Sequence, residues 1–257
     1  MPQLAVNDVE LFYEEKGSGE VLILIHGLTS NHHMLKQEMN YFHNHYRVIA
    51  YDARGHGKSS KPDAYSLADH IQDVIALMDT LEIEQASLLG MSMGTYIAQG
   101  VAIAIPDRVK KLILVSGSAH HKNQDEGLMA EHQRELGHLA FDEQLGRLVQ
   151  YIFHDLDAVG TWMASIPGRL IPEQQQIAAD ALADFDFRNE LNQVTAETLV
   201  ISGKYDGLNP PAQGKEIADH IPHAHFYLFE QSGHAPNIEE PERFLALITD
   251  FLSNRLP

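Results

Sequence analysis

The pentapeptide Gly90-Met91-Ser92-Met93-Gly94 sets one hydroxyl between two glycines in the pattern G-x-S-x-G. A turn sharp enough to lift a serine above a sheet edge crowds the positions on either side of it, and glycine there removes the clashing Cβ. The flanks fit that geometry: the apolar run 86–89 reads as a buried strand, and the small and apolar residues of 95–104 read as a packed helix. Ser92 then stands at a helix N-terminus, with the Met93 N–H free to donate to an incoming group. A plain strand-to-helix turn with a capping serine would use the same five residues. What decides between the two is whether the chain also supplies groups able to activate the hydroxyl.

A serine hydroxyl is a poor nucleophile at neutral pH, so it needs a base, and the base needs a group to orient it. Run 198–202 reads as a strand leading into Gly203-Lys204-Tyr205-Asp206-Gly207, and run 225–229 as a strand leading into Glu230-Gln231-Ser232-Gly233-His234. Asp206 and His234 are thus expected in loops past strand carboxyl ends, which in a parallel sheet emerge on one side together with Ser92. Taken singly, Asp206 before glycine is an ordinary turn residue, and His234 is one of sixteen histidines. Taken together, they supply an acid and a base to the serine in the order Ser, Asp, His. His26, His56, His120 and His121 compete as bases but are less well placed. Charge developing on a carbonyl oxygen requires two donors. Met93 N–H is one candidate, and Leu28 N–H, just past His26-Gly27 at the end of run 21–25, is the other.

Other clusters carry less. His32-His33, His43 with His45, and His132 with Glu135 and His138 do not match a metal-ligand spacing such as H-E-x-x-H, so no metal and no cofactor is expected. The glycine-rich loop 52–59 invites a phosphate-binding reading but reads as a structural turn. Trp162, Met163 and Ile166 either line a substrate pocket with His26 and Gly27 or form core within a helical segment.

The elements that must position these residues alternate. Runs 3–6 and 9–15 around Asn7-Asp8 read as an antiparallel hairpin. The unalternating aliphatic run 21–25 reads as a strand covered on both faces, 47–51 as a second such strand, and 109–115 is a further apolar run. Ser66 with Asp69 is a capping box opening a helix through Leu81. Strands separated by helices at this spacing imply right-handed βαβ units and a mostly parallel sheet. From 118 to 194 the rhythm becomes helical, with expected helices at 126–137, 141–153 and 173–183. The expected division is therefore a core of 1–117 and 195–257 with a helical cap, 118–194, over the sheet's carboxyl edge, where open α/β sheets bind ligands. A last helix covers about 241–254.

Composition bounds the rest. The 257 residues, 44% of them hydrophobic, suffice for one α/β folding unit with an insertion. A formal charge of −18 argues against a nucleic-acid or anionic-membrane partner. The absence of cysteine excludes disulfides, thiol catalysis and thiolate metal sites. The start Met1-Pro2-Gln3-Leu4 lacks a basic segment followed by an apolar run, so a cytoplasmic location is expected.

His26-Gly27, Asp52-x-Arg54-Gly55-His56-Gly57-x-Ser59, Gly90-x-Ser92-x-Gly94, Asp206 and Gly233-His234 together resemble the α/β-hydrolase fold superfamily over nearly the whole chain. The run Ser92-Met93-Gly94 and loop 52–59 look most like small esterases, enol-lactonases and cofactor-free perhydrolases. The resemblance implies an α/β-hydrolase fold: a mostly parallel sheet of about eight strands, helices on both faces, and a cap after the sixth strand. It also implies a Ser92 nucleophile, an Asp206 acid, a His234 base and oxyanion donors from Leu28 and Met93. Serine at the elbow excludes the aspartate-nucleophile chemistry of dehalogenases and epoxide hydrolases, and methionine after it, where proline iminopeptidases carry tryptophan, argues against peptidase activity. The expected activity is hydrolysis of a small carboxylic ester or lactone. Carbon–carbon bond hydrolysis or perhydrolysis by the same three residues is the alternative within enzymes, and a ligand receptor or signalling protein on this fold is the alternative outside them.

Overall fold

Strands β1 (Gln3–Val6) and β2 (Val9–Lys16) close a hairpin around Asn7-Asp8, with Asn7 at φ 48°, the left-handed conformation a two-residue hairpin turn requires. The computed structural model describes residues 3–121, 128, 132–139 and 141–256. The chain continues through β3 (Val21–Ile25), α1 (Lys36–Phe42), β4 (Arg47–Tyr51), α2 (Leu67–Thr80), β5 (Ala86–Met91), α3 (Met93–Ala104) and β6 (Val109–Val115). The eight strands, completed by β7 (Glu197–Gly203) and β8 (Ala224–Phe229), form one sheet in the order β1-β2-β4-β3-β5-β6-β7-β8. β2 runs antiparallel to β1 and β4, and every later pairing is parallel. After β3 the chain first adds β4 on one side and then crosses to add β5 on the other. The strand order thus reverses beside the carboxyl ends of β3 and β5, the place where open parallel sheets leave a crevice.

Both faces of the sheet are covered, and the two-residue period of each strand sorts its side chains between them. β3 sends Ile23 and Ile25 to one face, against Val74 and Leu77 of α2 and Ile97 and Val101 of α3. Leu22 and Leu24 go to the other, against Met39 and Phe42 of α1 and Phe244 and Ile248 of the last helix. Each such aliphatic side chain removed from water contributes about 1.5–3 kcal/mol, which is why these strands are apolar throughout rather than alternating. The expected capping box is present, Ser66 and Asp69 exchanging hydrogen bonds at the start of α2.

Between β6 and β7 the chain forms α4 (Gln133–Leu136), α5 (Phe141–Ile152), α6 (Leu156–Ser165) and α7 (Pro172–Asp180). Of the helix expected at 126–137, residues 126, 127 and 129–131 lie outside the described residues. Helix α6 is additional to the sequence reading: Asp155 caps it, accepting from the Ala158 N–H at 3.0 Å, while Val159 is its fully buried side chain and so leaves little apolar periodicity to detect. Polar contacts tie this region to the core, among them Trp162 Nε1 to the Met34 carbonyl at 3.2 Å, Asn31 Nδ2 to the Pro167 carbonyl at 2.6 Å, and Gly207 N–H to the Tyr151 carbonyl at 3.0 Å. Beyond β7 come α8 (Pro211–His220), β8, α9 (Pro236–Glu239) and α10 (Pro241–Leu252). Helices α7 to α10 each begin on proline, whose missing N–H costs nothing in a first turn. Among the described residues, no helix is long and apolar enough to cross a membrane.

Candidate active site

Ser92 occupies the junction of β5 and α3 with φ 54° and ψ −119°, a conformation costing a non-glycine residue on the order of 1–3 kcal/mol. The surroundings hold it there. Its N–H donates to the Val115 carbonyl at 2.9 Å, and its carbonyl accepts from both the N–H and the hydroxyl of Thr95, at 2.8 and 2.7 Å. Both flanking glycines are sterically required. A Cβ on Gly90 would strike the Gly94 carbonyl, and one on Gly94 would strike the Ile25 carbonyl. Ser92 itself is only half-buried, while Met91 and Met93 on either side are buried.

The loop after β3 packs against this elbow. A Cβ on Gly27 would lie 3.3 Å from the Ser92 Cβ, so the Gly27-Leu28 backbone passes directly beside the serine. Gly27 N–H donates to Met34 Sδ at 3.1 Å, and Thr29 takes φ 60°, which turns the chain just after Leu28. Met93 is the first residue of α3, so its N–H has no carbonyl one turn back in the helix.

Asp206 and His234 meet. His234 Nδ1 and Asp206 Oδ2 are 2.8 Å apart, with both side chains buried. An ionised carboxylate only accepts, so Nδ1 carries the hydrogen and the imidazole lone pair is left on Nε2. The other carboxylate oxygen is fixed by main chain, Oδ1 accepting from the N–H groups of Leu208 and Asn209 at 3.0 and 2.9 Å. Asn209 is braced in turn: its Nδ2 donates to the Ser116 carbonyl, at the end of β6, at 2.7 Å, and lies 3.5 Å from the Tyr96 hydroxyl. Burial raises the Tyr96 phenol to about 12, so it stays neutral beside Asp206. The three residues thus leave β5, β7 and β8 on one sheet edge, and Asp206 and His234 are joined by a hydrogen bond.

The remaining residues divide. His26 is fully buried, its Nδ1 donating to the Gly27 carbonyl at 2.7 Å and its Nε2 accepting from the Ala53 N–H at 3.0 Å. With both nitrogens taken by main chain and its pKa lowered by burial, His26 braces two loops and offers no nitrogen to a substrate. The loop after β4 is a latch: the Asp52 carboxylate accepts from His32 N–H and Lys58 N–H, both at 2.8 Å, and Arg54 forks onto Asp73 through two bonds of 2.7 Å. Trp162 and Ile166 pack against the core face shared by α1 and α10, whereas Met163 is 40% exposed. Trp162 also lines a groove of about 630 Å³ with His33, Met34, Tyr41 and Ile238. Among the described residues, no group of three or more His, Asp or Glu side chains is arranged to hold a metal ion.

The sequence reading passed over Asn209, Glu38, Asn237 and Glu239. Asn209 had a local signal, lying three residues after Asp206 as an Asx-type turn partner does. Glu38 and Asn237 meet through a 3.0 Å hydrogen bond across 199 residues, which no local pattern announces.

Comparison with known proteins adds an independent line. A family model described as alpha/beta hydrolase fold matches residues 20–160. The chain is 33% identical to 3-oxoadipate enol-lactonase 2 of Acinetobacter baylyi, over 94% of this chain and 92% of that protein. It is 33% identical to a 2-hydroxymuconate semialdehyde hydrolase of Pseudomonas, over 93% of this chain and 89% of that protein. Among solved structures, an enol-lactonase from Burkholderia xenovorans superposes with a TM-score of 0.86 at 28% identity, covering 98% of this chain and all of that one. With the sheet order, the elbow and these matches in agreement, the chain belongs to the alpha/beta hydrolase fold family.

Proposed function

We propose that this protein is a serine hydrolase that cleaves small carboxylic esters or lactones through an acyl-enzyme on Ser92. The observation that carries the reading is the buried 2.8 Å pair of His234 Nδ1 and Asp206 Oδ2 on the sheet edge that presents the strained Ser92. His234 Nε2 takes the Ser92 proton as Oγ attacks the substrate carbonyl, and Asp206 stabilises the imidazolium that forms. The N–H groups of Met93 and Leu28 receive the developing oxyanion, each such donor contributing about 3 kcal/mol to the barrier reduction. His234 then returns the proton to the leaving alkoxide, or to the ring oxygen of a lactone. Water, deprotonated by the same nitrogen, attacks the acyl group and releases the acid.

Similarity to an enol-lactonase along nearly the full length supports the ester and lactone class. Equal identity to a 2-hydroxymuconate semialdehyde hydrolase favours a second reading, carbon–carbon hydrolysis by the same residues. A panel of p-nitrophenyl esters, lactones and vinylogous diketones, assayed with wild type and Ser92→Ala, tests both. The expected result is ester and lactone turnover abolished in the variant. Wild-type turnover by Ser92→Ala would refute the assignment of the nucleophile, and turnover of the diketones alone would establish the second reading.

A further inference from the structure

The loop carrying His234 is held from both sides by one carboxylate. Glu239 Oε1 accepts from the N–H groups of Gly233 and Ala235, at 3.0 and 3.1 Å, the residues immediately before and after His234. Glu239 Oε2 accepts from the N–H groups of His154 and Asp155, at 2.7 and 2.8 Å, where the chain leaves α5 and enters α6. One side chain therefore satisfies four main-chain donors, two flanking the base and two in the helical region between β6 and β7. Charge-assisted bonds of this kind are the strong ones in a protein, and a carboxylate has acceptor sites for all four.

Two further contacts run along the same seam. His234 N–H donates to the Ile152 carbonyl at 2.8 Å, and the Phe153 ring meets the His234 imidazole edge-on with centroids 6.1 Å apart. Gly233 is glycine because the chain of the helical region crosses it: a Cβ there would strike the Ile152 carbonyl and come within 2.7 Å of the Phe153 Cα. The base loop and segment 152–155 thus share a seam of main-chain contacts, and Glu239 is the side chain that closes it. The Asp206 bond fixes the tautomer and tilt of the imidazole, but it leaves open where the loop sets the ring relative to Ser92. That placement rests on what holds the loop: the Ile152 carbonyl on His234 N–H, Glu240 on the Gln231 N–H and the Ser232 hydroxyl, and Glu239 on the N–H groups either side of His234.

We propose that Glu239 is a positioning residue for the base, its carboxylate holding the His234 loop against the 152–155 segment so that a displacement of the helical region is carried to His234. The inference rests on the reading of His234 as the general base. A misplacement of about 1 Å in such a group lowers turnover by about a hundredfold, because it removes alignment and leaves binding intact. Replacing the carboxylate with an amide leaves one accepting oxygen and turns an NH₂ toward two N–H donors, which is enough to open one side of the clamp.

The test compares wild type, Glu239→Gln and His234→Ala. A p-nitrophenyl alkylphosphonate titrates the sites: Ser92 Oγ bonds to phosphorus, p-nitrophenolate leaves, and the hydroxyl proton passes to His234. The yield of p-nitrophenolate counts competent sites, and its rate constant reports how well the base is placed. For Glu239→Gln the expected result is full labelling with a rate constant lower by about tenfold to a hundredfold, and kcat for a p-nitrophenyl ester lower by the same factor at nearly constant KM. A wild-type labelling rate per titrated site in Glu239→Gln, with His234→Ala inactive, overturns the role of Glu239 alone. Wild-type hydrolysis by His234→Ala overturns the general-base reading and this inference with it. Should Glu239→Gln fail to fold, Glu239→Asp, which keeps both oxygens but withdraws them by one methylene, is read by the same criteria.

Discussion

Taking the protein from pH 7 to pH 5 should lower its stability, and two single substitutions tilt that response in opposite directions. His56 is fully buried, its Nδ1 donating to the Arg54 carbonyl at 2.9 Å, and burial, reinforced by neighbouring His26, brings it from 6.5 down to about 3. At pH 5 the folded ring is neutral and the unfolded ring charged, so stability is present above the unfolded pKa and falls as pH drops through it. The roughly thirtyfold protonation excess of the unfolded imidazole at pH 5 amounts to a loss of about 2 kcal/mol. Glu38 acts with the opposite sign. It is fully buried, accepts from Asn237 Nδ2 at 3.0 Å, and is pushed by burial from 4.5 up to about 7. Its other oxygen and Asn237 Oδ1 are both buried without a protein partner, and a proton on Glu38 supplies the donor that this pair of acceptors needs. Below pH 7 the folded state holds that proton while the unfolded state still ionises, a shift of about fortyfold between pH 7 and pH 5, or about 2 kcal/mol gained. His70, likewise held neutral by burial, adds to the acid loss. Glu38→Gln, the isostere of the protonated acid, should lose about 2 kcal/mol more than wild type between pH 7 and pH 5 and be the more stable protein at pH 8. His56→Asn, which keeps a donor for the Arg54 carbonyl and cannot charge, should lose about 2 kcal/mol less. Urea unfolding followed by far-ultraviolet circular dichroism at pH 5, 6, 7 and 8 measures both. If the two variants keep the wild-type dependence on pH, neither group is titrating as argued.

Two further expectations follow from the site. Asp206→Asn leaves the loop in place through the Leu208 and Asn209 N–H groups but turns an NH₂ or a neutral oxygen toward His234; kcat should fall by on the order of 10³- to 10⁴-fold with the thermal midpoint nearly unchanged, and an unaffected rate in steady-state assays would point to another acid. Gly94→Ala drives a methyl into the Ile25 carbonyl, where main chain on both sides cannot yield; unfolding free energy should drop by about 2 kcal/mol or more in urea melts, and a wild-type value would mean the elbow is looser than its geometry.

What could be read from the sequence is what short-range chemistry encodes. β3, β4 and β6 fall at the expected residues because a strand covered on both faces is apolar through its buried stretch, Val48 to Tyr51 in β4 and Leu112 to Val115 in β6, a signal confined to a few residues. The elbow was legible for a steric reason, since only glycine tolerates the approach of the Gly94 and Ile25 carbonyls. Asp206 and His234 could be singled out because each closes a strand, although their meeting depends on loop paths that no local pattern fixes. His26 was misleading in this respect. A histidine beside a glycine at a strand end looks available to a substrate, but the Gly27 carbonyl and Ala53 N–H take both of its nitrogens.

The helical region was the least legible, and α6 shows why: Val159 is its one fully buried side chain. Beside the packing of Trp162 and Ile166 on the core, part of the docking runs through main-chain groups: the carbonyls of Tyr151, Ile152 and Pro167 and the N–H groups of His154 and Asp155. Main-chain donors and acceptors are present at nearly every residue whatever the side chain, so docking of this kind leaves almost no trace in residue identity. The trace falls on the partners, on a glycine at 233 that must admit the Ile152 carbonyl and on a glutamate at 239 that must satisfy four N–H groups. Both partners sit within five residues of His234. Two side-chain commitments to the helical region thus flank His234, and under the role proposed for Glu239 a shift of that region would reach the imidazole through them.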